Sequence, residues 1–151
     1  MKPIERIELA PGAVADTVAK LVRSGGRMQM AYAWYPEPGV LELRYVADLP
    51  GRSGLVVWST RPKGAMPSVT VSSPMMGWYE REITDLFGLT FEGHPEPVPL
   101  VLQAGATPVL PPLRKDYPET TPMPFTFHAA SAAPASTSWR GWRQSPTTLN
   151  P

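Results

Sequence analysis

The residues best suited to chemistry lie close together, between residues 78 and 88. Three carboxylates and one guanidinium fall within two helical turns: Glu80, Arg81, Glu82 and Asp85. Two carboxylates on one helix face could serve as a general acid and base. At 100° per residue only Glu82 and Asp85 share a face, and Arg81 is one turn from Asp85, the spacing of an ion pair. The pattern therefore favours a salt-bridged helix surface over a catalytic pair.

The two histidines, His94 and His128, do not have the spacing of a metal site. Neither lies three or four residues from another metal ligand, although Glu92 and Glu96 flank His94. We expect His94 to be a turn residue whose ring bonds a backbone group. The chain has no cysteine, which excludes disulfides and cysteine-ligated iron–sulfur or zinc sites. The sequence thus predicts no catalytic residue, no cofactor and no metal.

Length and composition indicate a single domain without a strong electrostatic preference. The chain has 151 residues, 20 of them proline, and a formal net charge of +1. A charge so near zero gives no general case for binding nucleic acid or an anionic membrane. No apolar run is long enough to span a membrane, and the N-terminal residues lack the apolar core of a signal peptide. We expect a soluble protein on the cytoplasmic side.

The acidic stretch is predicted to lie on a helix with its own start and stop. Ser73 is a candidate N-cap, Pro74 suits the first helical position, and Gly88 suits the left-handed residue that ends a helix. One face is apolar and can pack on a sheet: Met75, Met76, Tyr79, Ile83 and Leu86. The opposite face carries Trp78, Arg81, Glu82 and Asp85.

The preceding residues predict a helix and several strands. Helical spacing covers residues 13–23, and strand signals cover 4–9, 27–35, 40–46, 55–60 and 69–71. In residues 27–35 the large side chains alternate with small or polar ones: Met28, Met30, Tyr32 and Trp34 against Gln29, Ala31 and Ala33. Two successive hairpins favour an antiparallel meander. We therefore predict an α+β two-layer domain, with a mixed, mostly antiparallel sheet and helices on one face.

Proline dominates the chain after His94. Residues 97–113 contain five prolines, which excludes a regular helix or central strand and predicts an extended, partly buried segment. Residues 119–151 are rich in Ala, Ser, Thr and Pro, and we expect a tail with little structure of its own. The predicted organisation is a domain over residues 1–118 followed by this tail.

Two sequence blocks carry a family resemblance. Residues 80–88 read EREITDLFG and are followed by EGHP at 92–95, and residues 112–118 read PLRKDYP. Together they resemble the two signatures of the 30 kDa subunit of respiratory complex I, the NADH-quinone oxidoreductase. The same module occurs in membrane-bound, energy-converting [NiFe] hydrogenases. The resemblance covers residues 1–118.

The resemblance implies a non-redox structural or assembly subunit of the hydrophilic arm, peripheral on the cytoplasmic side of the inner membrane. Its implied partners are the large quinone-site subunit and the iron–sulfur subunits, with membrane contact only through the complex and no nucleic acid. The resemblance and the composition of the tail together place the following residues at a subunit interface: Trp78, Glu80, Arg81, Glu82, Asp85, His94, Arg114, Lys115, Asp116, Trp139 and Trp142.

Three alternatives stay open from the sequence. The equivalent subunit of an [NiFe] hydrogenase is one, since Glu96-Pro97 stands where complex I relatives usually carry basic residues. A free-standing module that holds single-stranded nucleic acid through Trp139 and Trp142 is a second. A small enzyme is the third, and it requires an ordered pocket with two titratable groups.

Overall fold

A computed structural model describes residues 4–102 and 110–116 of the chain. The helices are α1 (Val14–Arg23), preceded by a short 3-10 turn (Pro11–Ala13), and α2 (Met76–Phe87). The strands are β1 (Ile4–Glu8), β2 (Arg27–Glu37), β3 (Val40–Asp48), β4 (Leu55–Thr60), β5 (Met66–Pro67) and β6 (Phe91–Glu92). Within the described ranges no helix is long and apolar enough to cross a membrane.

The main sheet has four strands in the order β1-β4-β3-β2. Strands β2, β3 and β4 form the predicted antiparallel meander, and β1 pairs in parallel with β4. The predicted mixed, mostly antiparallel α+β fold is confirmed. The strand expected at 69–71 is wrong, because the backbone turns there, with the N–H groups of Ser72 and Ser73 both bonding Val69 O. Two short strands, β5 before α2 and β6 after it in the sequence, pair with each other in parallel.

The hydrophobic core lies between the helices and one face of the sheet. Helix α2 packs mainly against β2, and α1 contacts the same strand. The helices contribute Val14, Val18, Leu21, Met76 and Ile83, and the sheet contributes Met28, Ala31, Leu43, Tyr45, Ala47, Val56 and Trp58. Of the predicted apolar face of α2, Met76 and Ile83 are buried, whereas Met75 is exposed.

A β-bulge in β2 decides which side chains face this core. The register with β3 shifts between Met28 and Met30, so that Met28 and Ala31 are both buried. The simple alternation expected in this strand is therefore interrupted, since an extra residue reverses the faces that follow it. Small alanines point towards α2, while Tyr32 and Trp34 lie on the opposite face of the sheet.

Candidate functional site

Helix α2 carries the candidate site and begins later than the sequence predicts. Its first residue is Met76, and the Ser73 side chain makes no capping bond. Instead the Ser73 and Pro74 carbonyls accept from the N–H groups of Met76 and Gly77, which forms a turn ahead of the helix. Gly88 ends the helix as predicted, with φ 75° and ψ 18° in the left-handed region.

Glu80 occupies the centre of the packed domain rather than its surface, with 0% exposure. Oε1 accepts from Val69 N at 2.7 Å, and Oε2 accepts from Ser68 Oγ at 2.6 Å and Thr70 Oγ1 at 2.8 Å. A buried carboxylate is tolerated when donors of this kind surround it. The Glu80 carboxylate thus organises the turn before α2, and its place at a subunit interface stays a prediction.

Tyr45 lies in the same interior. Burial raises the pKa of its phenol well above the usual value, and the negative charge of Glu80 adds to the rise. The Tyr45 hydroxyl is therefore neutral at any physiological pH.

His94 is held between two backbone groups, as the sequence predicts. Nδ1 accepts from Glu96 N at 3.0 Å, which places the ring proton on Nε2, and Nε2 lies 3.2 Å from Gly77 O. Nε2 is also 3.8 Å from Oε2 of Glu80. A Cβ on Gly77 would lie 3.3 Å from Nε2, so glycine permits this close approach. The imidazole is buried and contacts its own chain, and its place at a subunit interface stays a prediction.

Arg81 and Asp85 do not pair with each other, contrary to expectation. Both bind the backbone of residues 96–102, which we call the strap. Arg81 Nε donates to Val98 O at 2.7 Å and Nη2 donates to Pro99 O at 3.1 Å. Oδ2 of Asp85 accepts from three successive N–H groups, those of Leu100, Val101 and Leu102, at 2.8, 2.8 and 3.2 Å. We call Arg81 and Asp85 the clasp.

The clasp has a simple physical reason. The proline-rich strap forms no strand or helix over residues 96–102, so its polar groups need other partners. A guanidinium supplies donors to the carbonyls, and a carboxylate accepts from the amides. The sequence predicts charged residues at positions 81 and 85 on one side of α2. Nothing in the local sequence indicates that Arg81 and Asp85 bind a backbone segment further along the chain.

The strap and α2 together form an open apolar groove. Its lining is Met75, Trp78, Tyr79, Glu82 and Leu100, and we call it the Trp78 groove. Trp78 is 67% exposed, and Met75 and Leu100 are exposed beside it. Glu82 supplies a carboxylate at the rim. Two residues predicted for an interface, Trp78 and Glu82, are thus brought together at the surface, and Leu100 joins them without any sequence signal.

The second block lies at a different place, beside the β2–β3 hairpin. Arg114 and Asp116 form a bidentate ion pair at 2.8 and 2.7 Å, and with Lys115 they line a shallow pocket next to Tyr35 and Gly39. The hydrogen bond from Arg114 lowers the pKa of Asp116, and the same bond raises the pKa of Arg114. These three predicted residues therefore lie at the surface, apart from the Trp78 groove.

The acids of α2 are not arranged for acid–base chemistry. Glu80 and Asp85 both accept several hydrogen bonds from their own chain, while Glu82 is exposed. Among residues 4–102 and 110–116, no group of three His, Asp or Glu side chains is placed to hold a metal ion. Trp139 and Trp142 lie outside the described residues.

Known proteins similar to this chain include subunits of the NADH-quinone oxidoreductase. The C/D subunit of the NADH-quinone oxidoreductase of Edwardsiella ictaluri is 51% identical over 53 residues, which are 35% of this chain and 8% of that protein. The C subunit of the same enzyme from Ruegeria pomeroyi is 40% identical over 62 residues, which are 41% of this chain and 30% of that protein. The chain therefore matches less than a third of the length of either relative.

A solved structure shares the fold over most of the chain. It belongs to the membrane-bound sulfane sulfur reductase, described as an archaeal respiratory membrane complex. The two chains superpose with a TM-score of 0.63 at 26% identity, over 80% of this chain and 78% of that one.

A family model confirms the resemblance seen in the two sequence blocks. The model described as "Respiratory-chain NADH dehydrogenase, 30 Kd subunit" matches residues 12–123. That range includes α2, strands β2 to β4, the strap and both blocks. The chain therefore belongs to the family of the 30 kDa subunit of the respiratory-chain NADH dehydrogenase.

Proposed function

We propose that this chain is a non-redox structural subunit in the hydrophilic arm of a complex I-type NADH-quinone oxidoreductase. It binds the large quinone-site subunit through the Trp78 groove and lies on the cytoplasmic side of the membrane, attached only through the complex. One observation carries the proposal. Arg81 and Asp85 of the first block hold the strap, and the strap completes an apolar groove around an exposed tryptophan.

The composition of the Trp78 groove supports a protein partner. Tryptophan is among the residues most enriched in binding hot spots, and a contiguous apolar surface rimmed by a charge is typical of an interface. The clasp fixes the backbone of Leu100 before any partner arrives. A surface organised in advance loses less conformational entropy on binding, which favours tight association.

An affinity pull-down from cells that express the whole complex tests this proposal. We expect Trp78→Ala to lower recovery of the large subunit by at least about tenfold, the effect of losing a hot spot of about 2 kcal/mol. The melting temperature of the isolated subunit should change little, because Trp78 is exposed. Val71→Ala is the matched control, since Val71 is 80% exposed and does not line the groove. Equal recovery for both variants would contradict the proposal.

The equivalent subunit of a membrane-bound hydrogenase-type complex is the second candidate. It is favoured by Glu96-Pro97, which stands where complex I relatives usually carry basic residues. The solved structure that shares the fold belongs to a membrane-bound sulfane sulfur reductase, which shows that the fold also occurs in another respiratory membrane complex. The same pull-down separates the two. A large subunit with a nickel-binding set of cysteines would identify the hydrogenase branch, and NADH-oxidising chains among the co-purified proteins would identify complex I.

The tail forms a separate proposal, because residues 119–151 lie outside the described residues. It contains Phe125, Phe127, Trp139 and Trp142, together with prolines that favour an extended chain. We propose that the tail lies extended across a neighbouring subunit, anchored by these aromatic residues. A chain ending at Pro118 should assemble less well than the full chain. Full assembly of the shortened chain, with equally rapid proteolysis of the free and assembled tail, would contradict this.

A further inference from the structure

Among residues 4–102 and 110–116, no helix or strand covers the face of the main sheet opposite the helices. Both described helices pack on the other side, so residues of alternate parity in β2, β3 and β4 point away from the core. Exposed apolar side chains occur on this face or at its margin in three of the four strands: Ile4, Met30, Trp34 and Leu55. Trp34 is 40% exposed, and the register shift in β2 places it on this face. Without that shift, a small residue of β2 would lie at this position. This face, which we call the open face, is independent of the Trp78 groove.

A buried carboxylate organises the end of the open face that lies near Arg61. Glu42 is only 6% exposed and accepts from Arg44 Nε at 2.7 Å, Trp34 Nε1 at 3.2 Å and Arg61 Nε at 3.4 Å. Burial alone would raise the pKa of Glu42, but the hydrogen bonds from Arg44 and Trp34 outweigh it and the pKa is lowered. Glu42 is therefore ionised, and its hydrogen bonds fix the side chains of Trp34, Arg44 and Arg61.

Arg44 is locked over the aromatic rings of β2. Its guanidinium carbon lies 4.7 Å from the Trp34 ring centroid and 6.0 Å from the Tyr32 centroid, and Nη1 is 3.4 Å from the Tyr32 hydroxyl. Cation–π contact and the bond to Glu42 hold the guanidinium in one position. Tryptophan, tyrosine and arginine are the three residue types that dominate binding hot spots, and here they are fixed in advance.

The charge of this cluster is positive at the surface. Two guanidiniums, Arg44 and Arg61, share the single carboxylate of Glu42, and that carboxylate is buried while Arg61 is exposed. Arg6 and Glu8 occupy register positions beside Val57 and Ser59 and add one charge of each sign. The excess therefore stays at one positive charge, presented next to exposed apolar side chains.

We propose that the open face is a second docking surface, which binds a protein segment that presents apolar side chains beside a carboxylate. The apolar side chains cover Met30 and Trp34, and the carboxylate pairs with Arg61, whose side chain is 56% exposed. Charge complementarity selects this partner over a basic one. Arg44 already covers one face of the Trp34 ring, which closes that face to the base stacking that single-stranded nucleic acid uses. The inference does not depend on the proposed function of the Trp78 groove.

Photo-cross-linking within the purified complex locates the occupant. A benzophenone amino acid replaces Met30 on the open face, and in a matched sample it replaces Arg23, which is exposed at the end of α1 on the other side of the domain. We expect an adduct from position 30 to a segment of another subunit with an acidic residue nearby, and a different adduct or none from position 23. An adduct to residues 117–151, to a second copy of the chain or to nucleic acid would overturn the proposal.

A charge-swap experiment then tests the predicted chemistry. Arg61→Glu should lower recovery of the cross-linked subunit by about tenfold at low salt, and reversal of the mapped acid to lysine should restore it. Arg23→Glu makes the same change in charge on the opposite side and should alter recovery by less than about twofold. Equal losses for Arg61→Glu and Arg23→Glu, or a loss that the reversed acid does not restore, would overturn the proposal. Retention of the large subunit by the Trp34→Ala variant distinguishes this surface from the Trp78 groove.

Discussion

Among single residues, acidic side chains of one helix have three different roles. Glu80 is buried and bonded to the turn before α2, Glu82 is exposed at the rim of the Trp78 groove, and Asp85 holds the strap. Position on the helix decides the role, since residues at 80, 82 and 85 face the core, the solvent and the strap in turn.

Replacement of Glu80 by glutamine tests the structural role of the buried acid. We expect Glu80→Gln to lower the free energy of unfolding by about 2–4 kcal/mol, because the amide NH₂ would face donors that the carboxylate now accepts from. Urea denaturation of the isolated chain measures it. Glu82→Gln makes the same chemical change at an exposed site and should cost less than about 0.5 kcal/mol. Similar values for the two variants would show that the Glu80 bonds contribute little.

Among the elements, the strap depends on α2 for its position. Residues 96–102 form no strand, and the clasp bonds backbone groups of five successive residues, from Val98 to Leu102. The groove around Trp78 is therefore a joint product of a helix and an irregular segment, and a change in the clasp should alter the groove without unfolding the sheet.

Removal of the Asp85 carboxylate should release the strap locally. In Asp85→Ala we expect hydrogen exchange of the Leu100, Val101 and Leu102 amides to accelerate by at least about tenfold, because three N–H groups lose their acceptor. Amides of β3 should keep their protection. Glu82→Ala is the control on the same helix, and it should leave the strap amides unchanged. Unaltered exchange in Asp85→Ala would mean that other contacts hold the strap.

The end of α2 offers a test that separates backbone conformation from crowding. Gly88 has φ +75°, and a Cβ there would lie 2.7 Å from Pro111 Cγ. Gly39 has nearly the same φ, +76°, with nothing within 4 Å of its Cβ position. Gly39→Ala should therefore cost about 1 kcal/mol for the left-handed backbone alone, and Gly88→Ala should cost about 1–3 kcal/mol more. Equal losses in thermal or urea unfolding would show that Pro111 moves aside freely.

Across the whole molecule, one sheet separates two candidate surfaces. The helices, the strap and the Trp78 groove lie on one side, and the cluster around Glu42 lies on the other. Under the two proposals made above, the domain bridges two neighbours, one on each side of the sheet.

The division into a domain and a tail predicts independence of the fold from residues 119–151. A chain ending at Pro118 should melt within about 2 °C of the full chain, since the core cluster of the described residues lies between Val14 and Phe91. Differential scanning calorimetry on both chains measures the difference. A large drop would show that the tail packs on the domain, and would favour an occupant of the open face from within the chain.

The amino-acid sequence alone was enough to locate most elements and to indicate the family. Periodicity located α1, β2, β3 and β4, the glycine at position 88 marked the end of α2, and two short blocks indicated the 30 kDa subunit family. These features depend on neighbours in the chain, such as the rotation of successive residues or a backbone conformation that only glycine adopts freely.

The partners of the charged residues became known only from the folded domain. The spacing of Arg81 and Asp85 suits an ion pair, yet both bind the strap. Glu42 is a charged residue within a predicted strand, yet it is buried beneath two arginines. One bulge in β2 set which aromatic residues reach the open face. Hydrogen-bond partners distant in the sequence, and the face that a strand presents, are fixed by how elements pack, and local periodicity carries no information about either.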